Sequence, residues 1–228
     1  MSNSPSGVAL NVSRARLTFL GFVLAINVFA IGNVLEFSGG VVSERIILNL
    51  NILVSLFGSV AIGTVSAVLF LVSERFDPRG DSDIGIFAFA EMAMFIAIAQ
   101  TLNGLVQEFL NILVFNLDRF AAAGAAAGMR GAGQLLEDLV YWTAGLAWSF
   151  VVYVAPVWSV TRIPTTAKRK YIYIGFYFTA LAFLFFLNAI AVRIAHLSAG
   201  LERSLLDVVI QQLWMPFLWS DLTTLARG

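Results

Sequence analysis

Four amides stand on one line of this chain. Gln100, Asn103, Gln107 and Asn111 are spaced three and four residues apart in the stretch QTLNGLVQEFLN. At about 100° per residue they share one narrow sector of a helix, together with Gly104 and, further on, Asp118. A buried amide without a partner costs a few kcal/mol, so this face must meet protein or water. Such a line does one of two things. It hydrogen-bonds across a helix–helix seam, within a subunit or between subunits, or it lines an aqueous path and offers donors and acceptors to a solute. The seam is the commoner use.

Glu91 is the sharpest single residue. It lies seven residues inside the apolar run that begins at Ile84, about 10 Å deep by helical rise. An intramembrane carboxylate is a candidate ion or proton carrier, and its structural alternative is a carboxyl satisfied by a neighbour. The helical wheel sets it opposite the amides. One continuous polar channel on this helix is therefore not expected: if one face meets a cavity, the other meets a helix.

Asn51, Ser55, Gly58, Ser59 and Ser66 share a sector of another apolar run. Ser55, Ser59 and Gly63 place a small residue every four, the pattern that lets helices approach closely. Further along, Gly145, Ser149, Tyr153 and Pro156 share a face with Trp142, a groove fit for a lipid, a pigment or a neighbouring helix. Asn188 sits deep in the last long run on the side of Tyr173 and Tyr177. Arg193 is placed to snorkel toward headgroups.

Reactive constellations are missing. The single histidine, His196, cannot by itself build a bis-imidazole haem or a His-rich metal site. There is no cysteine, so disulfides, thiolate chemistry and Cys-ligated metals are excluded. No P-loop, dinucleotide glycine fingerprint, HExxH or GxSxG is present. No catalytic residue and no metal site is assigned, an enzyme is not expected, and no cofactor is expected beyond a bound lipid or pigment.

The elements that must hold these residues follow from composition. The chain has 228 residues, 59% hydrophobic and 12% charged, with a mean hydropathy of +0.86. Soluble domains carry about 25% charge, so this composition describes an integral membrane protein. Net charge is zero, which gives no field for nucleic acid.

Five apolar runs predict spans at about 17–35, 46–72, 84–117, 139–161 and 171–197, all within one transmembrane helical domain, 1–200. The first run extends past its crude signal-peptide cleavage site and reads as an uncleaved span. The third is too long for the hydrocarbon and must emerge, bend or tilt. Ser-Gly-Gly before the second run and Asp77-Pro78 and Gly80 before the third mark turns. Arg79-Gly80-Asp81 reads as part of a solvated loop. Residues 121–133, rich in Ala and Gly and carrying a Gly124/Gly128 pair, read as a frayed helix end or a loop. Pro156 should kink or end the fourth span. The tail, 201–228, with Asp207, Gln211 and Gln212 among leucines and valines, and with Pro216 between Trp214 and Trp219, reads as an interfacial amphipathic segment.

Five spans with the N-terminus in the cytoplasm put eight of the fourteen basic residues inside, including Arg162, Lys168, Arg169 and Lys170. Tyr141, Trp142, Trp158, Tyr171 and Tyr173 fall near span ends, as interfacial aromatics do.

The fold expected is an all-α membrane bundle of about five helices plus the C-terminal segment. Two separate polar or small-residue faces suggest association with copies of itself or with partner membrane subunits, besides lipids. The function expected is a homo-oligomeric channel or transport protein. Its path would be lined by Gln100, Asn103 and Gln107, with Asn51, Ser55 and Ser59 beside them. The alternative is a non-catalytic accessory or assembly subunit of a larger membrane complex.

Overall fold

A computed structural model describes residues 5–37, 43–75, 81–122, 127–198 and 204–214. Its elements are α1 (Pro5–Phe37), α2 (Ser43–Arg75), α3 (Asp81–Ala122), α4 (Ala127–Ser149), a π-helical turn (Phe150–Val154), α5 (Ala155–Arg162), α6 (Ala167–Ser198) and α7 (Leu205–Trp214). Among the described residues there is no strand. The Ser-Gly-Gly turn, Asp77-Pro78, Arg79-Gly80, Gly124 and the tail with Pro216 and Trp219 lie outside the described residues. So do the side chains of Asn51, Asn111, Asp118, His196, Gln211, Gln212 and Trp214.

Among the described residues five segments are long and apolar enough to cross a membrane: Val12–Leu35, Ile52–Ser73, Ile84–Leu110, Gly131–Arg162 and Ala167–Ile190. A multi-pass membrane protein requires such segments. The helices overrun the apolar runs at their ends, because hydropathy marks where lipid would lie while the backbone ladder continues into polar sequence. The 84–117 run is part of one uninterrupted helix of 42 residues, about 63 Å long. The fourth apolar segment starts at Gly131, well before 139, and its helix runs from Ala127 through the acidic pair Glu137 and Asp138.

Helix α3 is the mast of the molecule. On one side Leu20 of α1 and Phe70 of α2 bury against Ala90 and Met94, and Ala30, Val34, Ile52 and Leu56 form a second apolar cluster. On the other side Ala88, Met92, Ile96, Ala99 and Val106 meet Trp148, Val152, Val160, Tyr177, Leu181 and Phe185. Close approach is set by glycine at two points of α3. A Cβ on Gly104 would lie 2.6 Å from Leu56 Cδ2, and one on Gly85 would lie 3.2 Å from the Tyr173 hydroxyl. That contact turns Tyr173 inward. It is buried edge-on to Phe89 rather than displayed at the surface like Trp142, Trp158 and Tyr171.

Pro156 does not end the fourth helix. Proline has no N–H to return to the carbonyl four residues back, which leaves Val152 C=O free. The Tyr177 hydroxyl donates to that oxygen at 2.9 Å, and the ladder widens to a π turn in which Ala155 N–H donates to Phe150 C=O. The helix ends instead at Ile163, which is extended, as a residue before proline (Pro164) must be.

At the other end of the chain Ser204 caps α7. Its hydroxyl accepts from Asp207 N–H at 3.1 Å and lies 2.7 Å from the Asp207 carboxylate. Val208 of this helix is buried against Ala189 of α6, and the Tyr153 hydroxyl donates to Leu213 C=O at 2.5 Å. The groove face of the fourth span is thereby joined to α7.

Candidate functional site

The apolar clusters leave a line of polar contacts along α3 from Ala90 to Glu108. Between α2 and α3 it is antiparallel. Asn103 Nδ2 donates to Ser55 Oγ at 3.1 Å, and Gln107 Nε2 donates to Asn103 Oδ1 at 2.9 Å. One turn along, Ser59 Oγ donates to Ala97 C=O at 2.7 Å and lies 2.6 Å from Thr101 Oγ1. Further along, Ser66 Oγ donates to Ala90 C=O at 2.7 Å. As α2 advances through 55, 59 and 66, α3 recedes through 103, 97 and 90. The small residues of α2 are what admit α3 this closely, so each serine reaches the opposite backbone or amide.

Between α1 and α3 the line is parallel and keeps one register. Arg16 Nε meets Glu91 Oε1 at 2.6 Å, an offset of 75 residues. Asn27 Nδ2 donates to Thr101 Oγ1 at 2.9 Å, an offset of 74, and to Ser59 Oγ at 3.0 Å. Asn33 hydrogen-bonds the buried Glu108 carboxylate, where the offset is again 75. Lipid tails are as apolar as leucine, so burial alone favours no register, and packing shape and hydrogen bonds set it. The polar pairs fix it at three points between α1 and α3, and they join α1, α2 and α3 into one unit at Asn27–Ser59–Thr101.

The line is about 25 Å long from Glu91 to Glu108 by helical rise, close to the thickness of a hydrocarbon layer. Its Glu91 end differs from the rest. Glu91 is 1% exposed. Oε1 is held by Arg16, and Oε2 is buried without a hydrogen-bond partner among the described residues. The Arg16 side chain is 39% exposed, so it passes from the protein surface down to a buried carboxylate. The Asn27 carbonyl oxygen is the other buried acceptor of the seam with no donor among the described residues.

The structure thus joins Ser55, Asn103 and Gln107 in one contact and links Ser59 to Asn27 and Thr101. Gln100 is buried on the adjoining turn. Glu91 is separate from the amides, as the helical wheel implied, yet both faces of α3 are covered by protein. Asn103 meets α2 and carries Gln107 with it, and the carboxylate faces α1. Arg16, Asn27, Asn33, Thr101 and Glu108 were not singled out in the sequence. Asn27 and Asn33 are two asparagines in an apolar run, and the offset near 75 emerges only once two helices are laid side by side. No group of three or more His, Cys, Asp or Glu side chains able to hold a metal occurs among the described residues. No family model, curated protein or solved structure matches this chain.

Proposed function

We propose that the chain is a small multi-pass membrane transport protein that handles protons or small cations at the Arg16–Glu91 pair. The observation that carries this is the fully buried Glu91, with one oxygen on an arginine that still reaches the surface and the other oxygen without a partner among the described residues. A carboxylate is costly inside a membrane and is kept where it pairs or works. Arg16 does the pairing here, and its half-exposed stem gives it room to leave. A proton or small cation can then replace the guanidinium on the carboxylate. The polar line of α1, α2 and α3 is the route from that exchange site toward Glu108. In the arrangement described here the hydroxyls and amides of the line bond to one another, so transport requires the seam to part. The path proposed lies inside one chain rather than on an oligomer axis, because Asn103 is turned to Ser55 of the same chain and Gln107 bonds to Asn103.

A second reading is favoured by that last contact. A seam whose amides are spent internally is also what a rigid accessory subunit of a membrane complex needs. Purified protein in liposomes separates the two. Flux of protons or alkali cations supports transport, whereas silent liposomes and co-purification with other membrane subunits support the accessory role.

A further inference from the structure

The turn between α5 and α6 carries the densest positive charge of the described chain. Arg162 ends α5, and Lys168, Arg169 and Lys170 fill the first turn of α6, which holds no acidic residue. These cations do not play one part. The Lys170 ammonium donates to Thr161 C=O at 2.7 Å, satisfying a carbonyl that the end of α5 leaves open and pinning the turn. The Arg162 guanidinium lies 5.8 Å from the centroid of the Trp158 ring, which holds it along the flank of the helix. Lys168 and Arg169 are exposed. Lys168, at the start of α6, also meets the positive end of its macrodipole, an arrangement that disfavours it until an anion is near.

The setting decides which anion. The apolar segments flanking this turn end at Arg162 and begin at Ala167, so the turn lies where hydrocarbon gives way to headgroups. Trp158 and Tyr171 beside it are 55% and 75% exposed, and Ile172 is exposed as well. Amphipathic rings of this kind settle at headgroup level. A soluble anion would satisfy the charges and leave those rings in water. An anionic phospholipid satisfies both, with its phosphate among the cations and its glycerol and upper acyl chain along the rings.

We propose that the α5–α6 turn is a docking surface for anionic phospholipid headgroups, with Arg162 and Lys168 as the contacting cations and Lys170 as the positioning residue. This does not depend on whether the chain transports anything. Basic residues at an anionic membrane surface contribute enough that each one removed lowers the preference about fivefold.

The test places the full chain in nanodiscs of phosphatidylcholine with or without phosphatidylglycerol. Retained lipid is counted by native mass spectrometry, and the thermal midpoint is followed alongside. Wild type is expected to retain phosphatidylglycerol preferentially. Arg162→Gln with Lys168→Gln should lower that preference about fivefold for each charge, while Arg162→Lys with Lys168→Arg should keep it. That second variant controls for damage to the turn. Undiminished preference in the neutralised variant, or none in wild type, would overturn the proposal. So would a rise in the midpoint with inorganic phosphate in pure phosphatidylcholine equal to that given by phosphatidylglycerol, since the surface would then be a site for soluble anions.

Discussion

Gly104 shows how little room the α2–α3 seam leaves. An added methyl would meet Leu56 Cδ2 at 2.6 Å and Cγ at 2.8 Å, with Ile52 C=O at 3.6 Å behind, and Leu56 is itself fully buried. Overpacking of this kind costs about 1–3 kcal/mol. Gly104→Ala should lower the thermal midpoint in detergent, and an unchanged midpoint would mean the helices separate there without cost. The Arg16–Glu91 pair allows a sharper comparison. Removing one partner of a buried pair leaves the other charge uncompensated, at about 3–5 kcal/mol when both are buried. Only Glu91 of the two is buried, so the cost here falls below that range. Arg16→Gln should destabilise more than Arg16→Gln combined with Glu91→Gln, a coupling that a double-mutant cycle reads directly. At this scale the sequence discloses needs but not partners. Four amides in one sector must be satisfied, and a carboxylate on the opposite side must meet something else. That Ser55 meets Asn103 and Arg16 meets Glu91 depends on the rotation of neighbouring helices. Arg16 reads in the sequence as a flanking charge.

The fourth span is where local sequence and long-range contact most visibly combine. Pro156 predicts a break, but the break is taken up by a π turn because Tyr177, on α6, supplies the donor that proline lacks. Tyr177→Phe should therefore leave Val152 C=O buried and unpaired, at about 1–3 kcal/mol. Pro156→Ala restores an N–H for that carbonyl. In its background Tyr177→Phe should cost markedly less, and equal costs in both backgrounds, measured by unfolding in detergent, would separate the proline from the tyrosine. Apolar runs in the sequence were sufficient to find the long helices. Their ends were misplaced because lipid exposure and helical hydrogen bonding stop at different residues, as at Ala127 and at Asp81. The π turn was out of reach, since its cause lies 25 residues away on another helix.

At the scale of the whole molecule the two sides of α3 are built differently. Toward α4, α5 and α6 the packing is aromatic and aliphatic, with Trp148, Tyr177 and Phe185 in the core. Toward α1 and α2 it is laced by polar pairs in fixed register. A register held by hydrogen bonds has discrete alternatives, which a transport cycle can use, and a carboxylate at one end gives it something to respond to. Proton flux into liposomes tests this most directly. The comparison is wild type against Glu91→Gln, with Arg16→Gln alongside and folding of each confirmed by its thermal midpoint. A transport site at the pair predicts flux in wild type, its loss in Glu91→Gln, and a raised or ungated flux in Arg16→Gln. A folded Glu91→Gln protein that conducts as wild type does would contradict it and leave the pair as a helix clasp.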